Sequence, residues 1–296
     1  MALQWVVLVR LLVVALVATL VVPLAAAPAD AAVPDGFADE TAFSGLNQPT
    51  VVRFSPDGRV FVAEKSGLIK VFDGLTDTTP ETFADLRTQV HNFWDRGLLG
   101  LALHPQFPTD PRVYVLYTYD APPGETAPYW GTAGLTSDPC PSPPGATADG
   151  CVVQGHLSVL TAVAGQNTSD GSEQVLIEDW CQQYPSHSIG TIAFGPDGML
   201  YASGGDGASF NFVDYGQDGS PVNPCGDPPA PVGGTLTPPN AQGGALRSQD
   251  VLTMPADPAD DPLSLDGTII RVHPDTGAGL LTNPLAGTSR TRTSVG

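Results

Sequence analysis

The sequence predicts an all-β protein made of short strands that repeat along the chain. The 296 residues include 33 glycines and 30 prolines, and 42% of them are hydrophobic. Many turn-forming residues among many apolar ones favour short strands joined by tight turns over long helices. The second observation is a repeated motif, in which one predicted strand leads through a Pro-Asp-Gly turn into another.

The motif first occurs at residues 50–54, where a predicted strand is followed by Ser-Pro-Asp-Gly and by predicted strands at residues 60–63 and 68–72. Proline presets the first corner of such a turn, aspartate bonds back to the main chain, and glycine accepts a positive φ. The same order returns at residues 191–202, and a partial copy covers residues 268–272. Up-and-down strand units repeated in this way build β-propellers.

Two more strands are predicted between the copies, at residues 100–105 and 113–118. Residues 121–151 and 214–245 instead form Pro/Gly-rich stretches without periodicity, which predicts two long loops. One propeller blade takes about 40–50 residues, so we expect roughly three to four blades here, an incomplete ring.

The first residues predict export. Residues 11–24 are almost wholly apolar, and a small-x-small cleavage pattern ends at Ala31. We therefore expect a signal peptide at residues 1–31 and a secreted, extracellular protein, with an uncleaved membrane anchor as the alternative. The propeller domain then covers residues 33–286, and residues 287–296, which lack a strand pattern, are expected to form an irregular tail.

The charge excludes two classes of partner. The formal net charge is −19, and Lys65 and Lys70 are the two lysines of the whole sequence. Such a chain repels the phosphate backbone of nucleic acids. It also repels anionic membrane surfaces, so no stable membrane insertion is expected after signal cleavage.

The four cysteines predict disulfides, because an even number in an exported chain suggests an oxidised framework. Three connectivities are possible for Cys140, Cys151, Cys181 and Cys225. We favour Cys140–Cys151 and Cys181–Cys225, because each pair brackets a loop rich in Pro, Gly and Asp. No Cys-x-x-Cys occurs, which makes a zinc site a weak alternative.

A candidate acid–base pair consists of His187 and Asp206. His187 precedes one predicted strand and Asp206 ends the next, so a tight antiparallel turn returns both to the same rim. A carboxylate beside an imidazole fixes its tautomer and raises its basicity, as a general base requires. A histidine near an aspartate is nevertheless more often structural. Trp94 and Trp130 are possible stacking surfaces for a sugar ring, although tryptophans of β proteins more often lie in the core.

These residues resemble the glucose/sorbosone dehydrogenase family, the soluble sugar dehydrogenases that depend on pyrroloquinoline quinone (PQQ). The resemblance rests on four segments in order: NQPTVVRFSPDG at 47–58, GLLGLALHPQF at 97–107, HSIGTIAFGPDGMLYASGGD at 187–206 and LDGTIIRVHPDTG at 265–277. It runs from about Phe37 to Gly277. It implies a six-bladed β-propeller that binds PQQ and calcium near its axis.

The resemblance also implies roles for single residues. His187 matches the histidine that takes the proton of the sugar C1 hydroxyl while hydride passes to the quinone, and Asp206 matches its orienting acid. Asn211 falls near a substrate-pocket position. Asp95 stands where the family has glutamine before Gly-Leu-Leu-Gly, and we assign it with Asn211 to substrate binding. The expected partners are therefore a sugar and an electron acceptor.

In the family, an Arg-Asn pair, the other basic groups that contact PQQ and the calcium ligands lie downstream of the segment at 265–277. This chain is therefore expected to be incomplete. We assign no cofactor-binding or metal-ligating residue from the sequence. PQQ-dependent oxidation of an aldose at C1 is the expected function. The alternative is a non-catalytic exported propeller that binds carbohydrate or protein, since a fold does not fix a function.

Overall fold

The computed structural model describes residues 33–140, 151–182, 185–205, 207, 225, 265–284 and 294–295. The chain divides into two compact units, Met1–Thr41 and Ala42–Gly296. Residues 33–41, the described part of the first unit, contain one turn and no strand. The predicted signal peptide lies outside the described residues. Across the described ranges, no helix is long and apolar enough to cross a membrane.

The second unit contains twelve strands in three four-stranded antiparallel sheets, which we call blades 1 to 3. Blade 1 has four consecutive strands: β1 (Pro49–Phe54), β2 (Val60–Glu64), β3 (Leu68–Phe72) and β4 (Glu81–Asp85). The β1–β2 turn is the predicted Pro-Asp-Gly turn. Gly58 donates its N–H to the carbonyl of Ser55 and has a φ of +95°, a backbone conformation that favours glycine.

Blade 2 is the central sheet. Its strands are β5 (Leu98–Leu103), β6 (Arg112–Tyr119), β7 (Val153–Ala162) and β8 (Ser169–Gln182). Its middle strands β6 and β7 are buried along nearly their whole length, because blades 1 and 3 cover its two faces. The predicted loop at residues 121–151 connects β6 to β7.

Blade 3 has the spatial order β12, β11, β10, β9. Its strands are β9 (Ile189–Phe194), β10 (Leu200–Gly204), β11 (Ile269–Val272) and β12 (Ser294–Val295). The two-residue strand β12 lies in the segment 287–296, for which we expected an irregular tail. The rest of that segment lies outside the described residues.

The three sheets stack face to face around an axis, as propeller blades do. The strands β1, β5 and β9 face this axis. Thr50 Oγ1 donates to the carbonyl of Leu98 (2.7 Å), which joins β1 to β5, and Arg53 Nη2 donates to the carbonyl of Ile192 (3.4 Å), which joins β1 to β9. One apolar cluster fills the space between blades 1 and 2, and a second fills the space between blades 2 and 3. The all-β class and the propeller architecture are thus confirmed, with three blades within the described residues.

Two disulfides lie at the end of the blades where β1, β5 and β9 begin, which we call the upper rim. They join Cys140 to Cys151 and Cys181 to Cys225, the pairing we favoured. Cys151 lies two residues before β7 and Cys181 lies near the end of β8, so both bonds fasten the long loops to blade 2.

Candidate functional site

His187 lies on the upper rim, immediately before β9, and is half-buried. Its φ is +50°, a left-handed conformation that few residues other than glycine adopt. Two hydrogen bonds hold this backbone: His187 N–H donates to Asp95 Oδ2 (3.0 Å), and His187 O accepts from Gly207 N–H (3.0 Å). Strained backbone that its surroundings hold in place clusters at active sites and ligand clamps. The conformation of His187 therefore marks it as a candidate functional residue.

Asp95 reaches His187 from the neighbouring blade. Its own backbone N–H donates to the carbonyl of Pro185 (3.0 Å), so Asp95 is tied twice to the loop that precedes β9. Its carboxylate is exposed on the rim. The structure thus brings together two of the predicted site residues. The other two, Asp206 and Asn211, lie outside the described residues.

Gly205 packs against the backbone of His187. A Cβ on Gly205 would lie 2.2 Å from His187 O, closer than any real side chain can come. Gly205 N–H also donates to the carbonyl of Ser188 (2.7 Å). Glycine at position 205, directly after β10, is therefore required for the close approach of the two backbones.

One cationic side chain near the site is Lys65, in the β2–β3 turn. Its Nζ donates to Asn92 Oδ1. Burial lowers the pKa of the Lys65 ammonium, and the charge of Asp95 acts in the opposite direction. Lys65 thus contributes a positive charge close to Asp95.

Arg96 is fully buried beneath the rim. Its guanidinium donates to the carbonyl of Cys151 and, at 2.8 Å, to that of Gln182, so it connects the ends of blade 2 near both disulfides. Burial lowers the pKa of Arg96 to about 9, against the opposing charges of Asp266 and Asp120. Its Nη1 and Nη2 groups donate to main-chain carbonyls, which gives Arg96 a structural role.

Asp120 and Asp138 form a buried carboxyl pair at the ends of the described part of the β6–β7 loop. Asp120 accepts hydrogen bonds from the backbone N–H groups of Tyr129 (3.1 Å) and Trp130 (3.4 Å), and Asp138 accepts one from Asn92 N–H (2.7 Å). Burial and the charge of Asp138 raise the pKa of Asp120 to about 7. Burial also raises the pKa of Asp138. One of these carboxyl groups therefore changes its charge near neutral pH.

Asp266 is a third buried acid of the rim. Its Oδ1 accepts hydrogen bonds from Trp180 Nε1 (2.9 Å) and from Gln182 Nε2. These donors belong to β8, so the carboxylate fastens the residues before β11 to blade 2. In the parts of the chain that the structure describes, no group of three or more His, Cys, Asp or Glu side chains is arranged to hold a metal ion.

For Trp94 and Trp130 the sequence left two possibilities open, a stacking surface for a sugar and the more frequent core position. Trp130 is half-buried, and its Nε1 donates to the carbonyl of Val152 (2.8 Å). Trp94 is 44% exposed, directly before Asp95. Trp94 therefore does not occupy the core position that is more frequent for tryptophans of β proteins, and its φ is +51°.

A second concave feature lies at the opposite rim. It is an open cleft of about 700 Å³ whose polar lining includes Asp57, Arg59, Asp73, Glu81 and Asn167. Its polar groups bind one another: Asn167 Nδ2 donates to Asp73 (2.8 Å) and Glu81 (3.1 Å), and Arg59 donates to Asp57. These bonds join blade 1 to the β7–β8 turn. The cleft therefore serves as a contact between blades, and the upper rim is the better candidate site.

Fold and site together define a β-propeller whose rim presents a conformationally strained histidine beside a carboxylate. The glucose/sorbosone dehydrogenase family model matches residues 46–220, more than half of the chain. The chain therefore belongs to this family, as its motifs suggested.

Relatives include proteins of two kinds. The HIPL1 protein of Arabidopsis thaliana is 28% identical over 182 residues, which are 53% of this chain and 26% of the relative. The Hedgehog-interacting protein of Homo sapiens is 26% identical over 183 residues, 58% of this chain and 22% of the relative. This chain thus spans about a quarter of the length of these relatives.

Solved structures show the same fold. An oxidoreductase from Thermus thermophilus, described as a glucose dehydrogenase, is 26% identical with a TM-score of 0.50 and covers 86% of this chain. The PQQ-bound aldose sugar dehydrogenase of Streptomyces coelicolor has a TM-score of 0.50 at 19% identity and covers 85% of this chain. The chain covers 52% of each of these structures, about half of their length.

Proposed function

We propose that this chain contributes the sugar-facing side of an aldose dehydrogenase site, with His187 as the general base. The observation that carries the proposal is the left-handed backbone of His187, which Asp95 and the Gly205 loop fix at the upper rim. The motif at residues 187–206 resembles that of the family, and this resemblance implies that His187 is the catalytic histidine. The two disulfides are in keeping with export into an oxidising compartment after cleavage of residues 1–31.

In the proposed reaction the C1 hydroxyl of the sugar gives its proton to the neutral imidazole of His187. The C1–H bond breaks as a hydride, and a C1=O bond forms, which leaves a lactone. Asp206 orients the imidazole, and Asp95 and Asn211 bind hydroxyls of the sugar. A base with a pKa near the working pH suits this proton transfer. The hydride needs a two-electron acceptor, which PQQ would supply if groups outside the described residues hold it.

The described residues do not by themselves fit PQQ, which carries three carboxylates. Carboxylates of this kind need basic partners. Near the site, the Lys65 ammonium faces Asn92 and Asp95, and the Arg96 guanidinium is bound to two carbonyls. Asp95, Asp120, Asp138 and Asp266 add negative charge. No step of the proposed reaction therefore depends on a contact between these residues and the cofactor.

A second candidate function is recognition without catalysis. Hedgehog-interacting proteins are among the relatives, and the described part of the rim carries more carboxylates than cations. Such a rim suits a neutral carbohydrate or a basic protein surface. The two functions differ in their dependence on His187, because a binding module does not use its imidazole for proton transfer.

The test is a dye-linked dehydrogenase assay of the purified chain with added PQQ and calcium ions over a panel of aldoses. His187→Ala is compared with His104→Ala, a half-buried histidine at the opposite rim. The dehydrogenase proposal requires turnover that His187→Ala abolishes and His104→Ala retains. A folded protein that binds sugar without any turnover would exclude catalysis by this chain and favour the recognition function.

A further inference from the structure

An exposed aromatic ring lies beside the candidate base. Trp94 is 44% exposed, whereas Trp180 is fully buried and Trp130 is held by a hydrogen bond to Val152. Burial of an indole ring normally contributes strongly to a β-protein core. A tryptophan that the fold instead turns towards solvent at a functional rim is available to contact a ligand.

The orientation of this ring is fixed by the chain. Four non-glycine residues in the described ranges have a positive φ, and two of them, Trp94 and His187, flank the same Asp95–His187 hydrogen bond. The indole ring stacks on Phe93, with ring centroids 5.4 Å apart and planes inclined by 17°. Asp95, the next residue, is tied to Pro185 and to His187. Trp94 is therefore positioned by the same loop contacts that position the base.

The carboxylate between the two residues still has capacity to accept hydrogen bonds. Asp95 Oδ2 accepts from His187 N–H, and Oδ1 accepts no hydrogen bond from the residues that the structure describes. A carboxylate has about four lone-pair sites, so hydroxyl groups can donate to Oδ1. A flat apolar face beside a charged acceptor complements a sugar ring, which has an apolar C–H face and a hydroxyl edge.

We propose that Trp94 and Asp95 form a monosaccharide-binding platform beside His187, on which the indole face stacks against a neutral sugar ring and Asp95 Oδ1 accepts its hydroxyls. The inference rests on the proposed function, because it names the group that positions the sugar at that site. It also names the substrate class: neutral aldoses are favoured over uronic acids, since Asp95 repels a sugar carboxylate.

The experiment measures binding without chemistry. The full chain, without PQQ or an electron acceptor, is titrated with methyl β-D-glucoside, which has no free C1 hydroxyl, and with D-glucuronate. The indole N–H signals are followed by NMR, and the Trp94 signal is identified by its loss in Trp94→Phe. We expect the glucoside to shift the Trp94 signal and glucuronate to bind more weakly.

The variants separate stacking from folding. Trp94→Ala should weaken glucoside binding roughly threefold to tenfold, the contribution of an aromatic contact. Trp94→Phe keeps an aromatic face and should lose less. Phe54→Ala, an exposed aromatic at the opposite end of β1, should not change binding. Far-ultraviolet circular dichroism checks that each variant is folded.

Two results would overturn the platform: a glucoside that leaves the Trp94 signal unchanged, or a folded Trp94→Ala variant that binds it as tightly as the wild type. The first would also be the outcome if Trp94 contacts a protein instead of a sugar. Glucoside binding through Trp94 without aldose turnover would support the platform and count against the dehydrogenase. Aldose turnover with a KM that Trp94→Ala leaves unchanged would support the dehydrogenase and count against the platform.

Discussion

Replacement of Asp120 by asparagine removes a carboxyl group whose pKa is raised to about 7 by burial and by Asp138. An aspartate in an unfolded chain has a pKa of about 3.9. Between these two values the folded state therefore binds more protons than the unfolded state. The stability that this group contributes is fully present below about pH 4 and is lost as the pH rises through about 7. Asparagine does not titrate, so the variant avoids this loss.

The size of the effect follows from the two pKa values. Between pH 5 and pH 8 the shift alone corresponds to about 2.5 kcal/mol of lost stability. Screening by solvent reduces this to about 1 kcal/mol. The amide oxygen of asparagine still accepts from the N–H groups of Tyr129 and Trp130, so the loop keeps these bonds. The advantage of Asp120→Asn over the wild type should therefore grow by about 1 kcal/mol from pH 5 to pH 8.

Urea unfolding at pH 5, 6, 7 and 8 measures this difference. Asp138→Asn should reduce the pH dependence, because the charge of Asp138 is one cause of the raised pKa of Asp120. Asp85→Asn is the matched control: a hydrogen bond from Arg87 lowers the pKa of Asp85, so its titration lies below this pH window. A free-energy difference between Asp120→Asn and the wild type that stays constant from pH 5 to pH 8 would refute the reasoning.

Three further substitutions test the backbone and the buried charge of the rim. The free energy of unfolding of His187→Gly should exceed that of His187→Ala by about 1 kcal/mol, because glycine adopts a φ of +50° without strain. Equal urea midpoints of the two variants would contradict the strain at His187. Gly205→Ala should abolish aldose binding and turnover, since its Cβ would lie 2.2 Å from His187 O; normal binding in titration calorimetry would contradict this contact. Arg96→Ala should lower the free energy of unfolding by about 3 kcal/mol, because it leaves buried carbonyls and opposing acids without their cation; a change below about 1 kcal/mol in urea unfolding would assign those carbonyls to other donors.

The repeated strands were predictable because their signals are local. Predicted strands at residues 60–63 and 68–72 correspond to β2 (Val60–Glu64) and β3 (Leu68–Phe72), each delimited by a turn with Gly at a positive φ. The longest strand, β8 (Ser169–Gln182), was not predicted. Its two faces are unequally buried along its length, and register shifts interrupt its pairing with β7, so no period of two runs through it.

In the candidate site, too, the residues with a local sequence signal were predicted and the others were not. His187 was found because a family motif contains it, and Asp95 because it replaces a motif residue. The sequence did not decide between a stacking surface and a core position for Trp94, because a left-handed φ at a tryptophan leaves no mark in composition or periodicity. The pairing of Asp120 with Asp138 was missed because the loop that brings the two residues together has no repeated pattern.

The choice between catalysis and recognition depends on the residues that local patterns do not reveal. The motif residues provide His187 and the backbone contacts that support it, which an enzyme and a binding module can share. The charge around them comes from separate loops: Lys65 from blade 1, Asp120 and Asp138 from the β6–β7 loop, and Asp266 from the residues before β11. This charge suits a neutral sugar better than a tricarboxylate. If the chain turns over aldoses with PQQ, the basic partners of the cofactor must therefore come from outside the described residues. If the chain only binds sugar, the proposed platform at Trp94 and Asp95 is sufficient for that binding.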